Sequence, residues 1–276
     1  MAARLHLLFD RRVEIDLARL AAILAEFDPA LEAAKIEMDL ETRIADATFG
    51  DFHMRFRAVG EAIPELVLEP ALQLAHLDPE EKAAARAHTC FVVIEHVPVE
   101  GLVPRTLDQF RAVAILAAAF ARLGATFLVH LDARTVLPAG AFMAAPADVI
   151  PLIEGLSPLL LFMGFAKYEL ALPPDLPNLG LRHAGVWMRT HGGVNFGVPD
   201  LARLTDGHEE GLATFRAMTE MVVHMIESRA VFSIGDVVQL PDGALGVFRA
   251  PKEDEAFLEG EHPVLVLDPL PHAEPG

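Results

Sequence analysis

The stretch LRHAGVWMRTHGGVNFGVPD, residues 181–200, decides how this chain is read. As a strand, it places His183, Gly185, Trp187, Arg189 and His191 on one face and Ala184, Val186 and Met188 on the other. One face is then aliphatic, and the other carries imidazole, indole and guanidinium. Gly192 and Gly193 follow, where the backbone can take positive φ or approach a neighbour closely. The functional expectation is a ligand-binding patch of His183, Trp187, Arg189, His191 and Asn195. In it Arg189 would pair with a carboxylate and Trp187 would stack on a planar group. The structural alternative is a packed tryptophan and a glycine turn leading to a helix that starts at Pro199, with Arg189 paired to an acid of the chain.

Working outward, the pattern is that of an α+β protein. Residues 5–9 are a short apolar run, and Asp16 caps a helix with Leu17, Leu20, Leu24 and Phe27 at helical spacing. Ile36, Met38 and Leu40 alternate with acids. After Gly50-Asp51, Phe52, Met54 and Phe56 alternate with His53, Arg55 and Arg57, which predicts two half-buried antiparallel strands with an acidic face opposite a basic one. Asp78-Pro79-Glu80-Glu81 opens a helix running to about residue 88, and residues 90–94 form a buried strand. Thr106 and Gln109 begin a helix whose residues 112–121 carry no charge, so it should lie centrally.

Further strands are expected at residues 126–131, 159–170 and 181–190, with an alanine-rich helical piece at 138–147 and buried strand and loop from 149 to 166. A helix over residues 208–228 aligns Leu212, Phe215, Met218, Val222, Met225 and Ile226. A hairpin turns at Pro241-Asp242-Gly243, and a last strand follows at 263–267. Residues 4–97 read strand, helix, strand, strand, helix, strand, and residues 126–240 repeat that order. Two ferredoxin-like βαββαβ halves, 1–104 and 105–276, are one arrangement that fits. One integrated domain with a mixed, mainly antiparallel sheet under helices fits equally.

The balance of 40 acidic against 22 basic residues, a net charge of -18, opposes a broad nucleic-acid or anionic-membrane surface. The opening residues MAARLHLLFDRR lack the apolar core of an export signal, and Pro151, Glu154 and Pro158 interrupt the longest apolar run. Cys90 is the single cysteine, which fits a reducing cytoplasm.

Ser157, Ser228 and Ser233 are the only serines and none lies in a G-x-S-x-G elbow, while phosphate-binding glycine loops and an H-E-x-x-H helix are absent from the sequence. No catalytic residue, metal or cofactor is therefore expected. His88 with Cys90, Glu95 with His96, and His130 with Asp132 border strands without metal-specific spacing. Glu220, His224 and Glu227 share one helix face, read as solvated.

Met188-Arg189-Thr190-His191-Gly192, followed by Asn195-Phe196-Gly197-Val198-Pro199-Asp200, resembles the T-x-G…F-G-x-P-E signature of the bacterial domain-of-unknown-function family 4261. Ile234-Gly235-Asp236-Val237-Val238 resembles that family's G-D-T-V-G hairpin, and Ala87-His88 its A-H element. The likeness is clearest over residues 181–243 and reaches back more weakly to about residue 55. The chain departs from the pattern at His191, Asp200 and Val237. The resemblance implies a bacterial cytosolic setting and brings no reaction with it.

The first functional reading is a non-enzymatic protein-binding, adaptor or immunity-type protein for a basic partner, because an acidic surface speeds encounter with basic proteins. The second is a small-molecule-binding protein or enzyme with its pocket at the Trp187 and Arg189 face. The third is a subunit of a homo-oligomer or larger assembly.

Overall fold

Each of two sheets forms the centre of its own compact unit, Met1–Phe162 and Met163–Gly276. The computed structural model describes residues 3–98, 106–169, 185–240, 243–258 and 262–270. The first unit contains β1 (Arg4–Phe9), α1 (Leu17–Phe27), β2 (Lys35–Asp39), β3 (Ile44–Phe49), β4 (Phe52–Val59), α2 (Glu65–Leu74), α3 (Pro79–Arg86) and β5 (Cys90–His96). It continues with α4 (Thr106–Arg122), β6 (Phe127–His130), β7 (Thr135–Pro138), α5 (Val149–Gly155) and α6 (Pro158–Leu161). Among the described residues its sheet is antiparallel throughout, in the order β2-β3-β4-β5-β1-β6-β7.

Both faces of that sheet are covered. Leu5, Ile94 and Phe56 are cross-strand neighbours turned toward α4, where Phe56 meets Phe120 edge-on at 5.4 Å between ring centroids. Leu8, Phe127 and Val129 face the other way, into a cluster with Leu68, Ala71, Leu72 and Ala85 from α2 and α3. Helix α4 touches β1, β4 and β5 on one side and α1 and α5 on others, which is why its uncharged run is buried all round, as expected of it. The helix starts follow from their caps. The Asp16 carboxylate accepts from the Arg19 amide, and Asp78 and Glu81 cap each other's amides reciprocally.

Several expectations are corrected. Three strands, not two, occupy residues 35–59, and the basic face of β4 meets β3: Asp46 accepts from Arg55 Nε at 3.2 Å and lies 2.8 Å from His53 Nε2. Small residues at Ala45 and Ala47 blunt the hydrophobic alternation of β3. Helix α2 was not anticipated, since Pro70 interrupts its pattern. Residues 149–161 are short helices rather than strand, with Pro151 tolerated in a first turn, and residues 139–148 hold two 3-10 turns instead of a helix. In the first sheet β5 lies between β4 and β1, whereas a ferredoxin-like unit would place the first strand, β1, between β4 and β5. Helix α4, expected to open a C-terminal half, packs within the first unit.

The second unit holds β8 (Gly164–Glu169), β9 (Val186–His191), β10 (Asp200–Thr205), α7 (Gly211–Ser228), β11 (Val237–Gln239), β12 (Leu245–Arg249) and β13 (Val264–Pro269). Among the described residues the sheet order is β11-β12-β13-β10-β9-β8, with β10 and β13 parallel and the other pairs antiparallel. A strand therefore follows Pro199 where a helix was expected. Helix α7 packs on β9 and β10 through Thr214, Ala217, Met218, Met221, Val222 and Met225. That face is rotated from the expected stripe, leaving Leu212 61% exposed. The hairpin of β11 and β12 and the last strand occur as read, while the Pro241-Asp242 turn itself lies outside the described residues. Among the described residues no helix is long and apolar enough to cross a membrane.

Candidate functional site

The ribbon at residues 186–191 is pleated as expected, yet all six of its residues are buried. Met188 turns toward Gly211 at the start of α7. Trp187, 1% exposed, turns the other way and packs with Ala202, Val264, Val266 and Leu258, with Phe257 edge-on at 5.8 Å. What closes that side is the irregular 3-10 segment Glu253–Leu258. Arg249 on β12 holds it there. Its Nη2 donates to Glu255 Oε1 at 2.8 Å, its Nη1 to Glu255 Oε2 at 2.5 Å, and its Nε to Asp268 Oδ2 at 2.6 Å. Burial alone would raise the Glu255 carboxyl, but the Arg249 guanidinium and the Lys252 amide outweigh it and hold it below the usual range.

Arg189 is buried, with its Nη2 3.5 Å from Asp200 Oδ2, and Asp200 also accepts from the Gly193 amide at 2.9 Å. Burial pushes the Asp200 carboxyl up, opposed by the Gly193 amide and by Arg189. Thr190 Oγ1 accepts from the Leu201 amide at 2.8 Å. Between these bonds the chain turns through Gly192 at φ 94° and Gly197 at φ 72°, both left-handed. A Cβ on Gly193 would come within 2.7 Å of the Val198 carbonyl oxygen. His191 and Asn195 are buried in the same turn. His183 lies outside the described residues. Of the four described candidates, Arg189, His191 and Asn195 stand at or beside the interior turn linking β9 to β10, while Trp187 packs in the separate cluster with Leu258 and Val264. Among the described residues Trp187 Nε1 and Arg189 Nε are buried without hydrogen-bond partners, and neither residue lines the two hollows at α7.

The His88 and Cys90 pair is also accounted for within the fold. His88 Nδ1 donates to the Ala85 carbonyl at 2.7 Å while its Nε2 accepts from the Ile63 amide at 2.8 Å, so neither nitrogen is left for a metal. Burial depresses its pKa. Among the described residues no group of three His, Cys, Asp or Glu could hold an ion.

Set against protein-family models, curated proteins and solved structures, the chain matches none.

The accessible chemistry of the second unit lies where α7 passes β11. Leu240 N bonds to Ala244 O and Phe248 N to Asp236 O, so residues 236, 238 and 240 turn their backbone groups toward β12. Val237 and Gln239 then turn theirs outward, at what is the free edge of the sheet among the described residues. Ile234 is 66% and Val237 55% exposed beside this edge. A hollow of about 310 Å³ adjoins it, walled by Met221, Phe232, Val238 and Gln239 and carrying Glu220 and His224. A second hollow of about 530 Å³ shares Ala217 and Glu220 with the first and extends it toward Arg203 and Arg216. His224 stacks on Phe232, which stacks on Phe248 at 4.9 Å, so one wall is rigidly backed. Reading the sequence found the Glu220–His224 helix face and the hairpin separately. The hydrophobic Val231, Ile234 and Val237 in a turn-rich segment were the signal that the two meet at a surface.

Proposed function

We propose that the protein is a non-enzymatic binding protein that receives an extended, basic segment of a partner protein along the free edge of β11. The observation that carries this reading is the juxtaposition of outward-facing backbone groups at Val237 and Gln239 with the Glu220 hollow. An added strand would satisfy the edge. Its lysine or arginine would lay an aliphatic stem against Met221, Phe232 and Val238 and bring the charge to Glu220, which has no ion-pair partner among the described residues. The net charge of -18 favours encounter with such a segment. A three-residue edge supplies few hydrogen bonds, each worth about 0.5–1.5 kcal/mol net, so the side-chain hollow must provide much of the selectivity.

The test is fluorescence anisotropy with a labelled seven-residue peptide of alternating lysine and valine, beside a counterpart with glutamate for lysine. The basic peptide binds and the acidic one does not; Glu220→Arg weakens binding about tenfold, a change of about 1.4 kcal/mol. Gln239→Pro removes an outward amide without removing a ladder bond, so it folds and loses binding. Equal binding of both peptides, or an unaffected Gln239→Pro variant, contradicts the reading. Self-association lost in the same variant would assign this edge to a second copy of the chain instead.

Two companion proposals rest on other support. Membership of family 4261 is supported by the quoted motif forming one folded turn, in which Thr190 Oγ1 accepts from the Leu201 amide and Asp200 from the Gly193 amide. A cytoplasmic location is supported by the lone cysteine being a buried free thiol.

A further inference from the structure

At one end of the first sheet, the turn from β2 to β3, the end of β4, the start of β5 and the segment after β1 surround a cleft of about 460 Å³. Cys90, 2% exposed, forms part of its lining and donates its thiol hydrogen to the Arg11 carbonyl at 3.1 Å. Val13, Ile15, Met38 and Val59 provide apolar walls, and among the described residues no aromatic ring lines the cleft. Arg12 and Arg43 reach it from separate segments, and neither guanidinium has an ion-pair partner among the described residues. Glu14 is the one carboxylate there among the described residues. Arg43 is also held at φ 55°, a left-handed conformation that glycine or asparagine adopts more readily.

We propose that this cleft binds an aliphatic carboxylate of medium chain length. Two guanidiniums and one carboxylate leave a single positive charge, which matches a monoanion. The field of a chain with net charge -18 opposes a polyanion such as a nucleotide. Without an aromatic platform the walls offer nothing on which a planar ring would stack, whereas valine, isoleucine and methionine suit a hydrocarbon chain. The carboxylate head lies at Arg12 and Arg43, where bidentate pairing is available, and the tail runs toward Cys90. This site is independent of the β11 edge.

Cys90 is the only cysteine, so intact mass counts its alkylation directly. The probe is sodium decanoate below its micellar concentration, compared with decan-1-ol, during slow modification by iodoacetamide; calorimetric titration reads the same affinity without using the thiol. Decanoate slows alkylation and decanol does not match it at equal concentration. Arg43→Gly raises the half-protecting concentration about tenfold, the order expected for losing a charge-assisted hydrogen bond. Because glycine relieves the positive φ, that variant melts no lower than the parent, so its loss of binding is not a loss of fold. Arg12→Ala gives the same loss. Equal protection by decanol, an unchanged half-protecting concentration in Arg43→Gly, or no calorimetric signal with decanoate overturns the proposal.

Discussion

Trp187 and Arg189 stand on the side of β9 that residues 253–258 close over, and this cover turns an expected recognition patch into an interior. Alternation along a strand says which side chains share a face; it does not say what lies over that face. The cover is set by a distant pair, Arg249 and Glu255, whose spacing carries no recognisable pattern. Gly192 and Gly193 were legible as a turn, because the left-handed position at Gly192 favours glycine, whereas the strand that starts at Asp200 reads as a helix. Glu255→Ala leaves Arg249 half-satisfied and is expected to destabilise the second unit by about 3 kcal/mol. Since Trp187 is the single indole, acrylamide quenching reports the lifted segment directly: quenching rises in Glu255→Ala and stays low in Glu253→Ala, whose side chain is exposed.

At the scale of elements, β6 brings His130 into the core of the first unit and β1 half-buries His6 beside it. Burial holds both pKa values down to about 4, and Arg4 adds to this at each. The folded pKa lies below the ordinary 6.5, so protons bind the unfolded chain more readily. The stability contributed is complete above about pH 6.5 and is lost as pH falls toward 4, at most about 3 kcal/mol for each group. Urea denaturation between pH 7.5 and 4 should show this decline, and His6→Leu combined with His130→Leu should make it shallower. It does not vanish, because burial also depresses His88 and His96. Elements with strong local signals were legible: the capped α3, the uncharged α4 and the β11–β12 hairpin. Those without them, β3 with its alanines and α2 with its internal proline, take their structure from sheet pairing and packing that no short window reveals.

At the scale of the whole chain, the α+β class was legible from the mixture of periods, but not the strand order. Pairing β5 between β4 and β1, and β10 parallel to β13, are choices among topologies compatible with one list of elements. The excess of acid over base likewise bears on the kind of partner without locating it. The proposed location is the edge of the second sheet, where Val237 and Gln239 turn backbone groups outward beside Glu220. The most direct measurement is residue-resolved amide hydrogen exchange of the full chain with and without the alternating lysine–valine peptide. Strand addition slows exchange at Val237 and Gln239 and leaves Val238, already bonded toward β12, little changed. Exchange at Val237 and Gln239 that is unaltered by saturating peptide, or protection confined to another surface, would contradict the account.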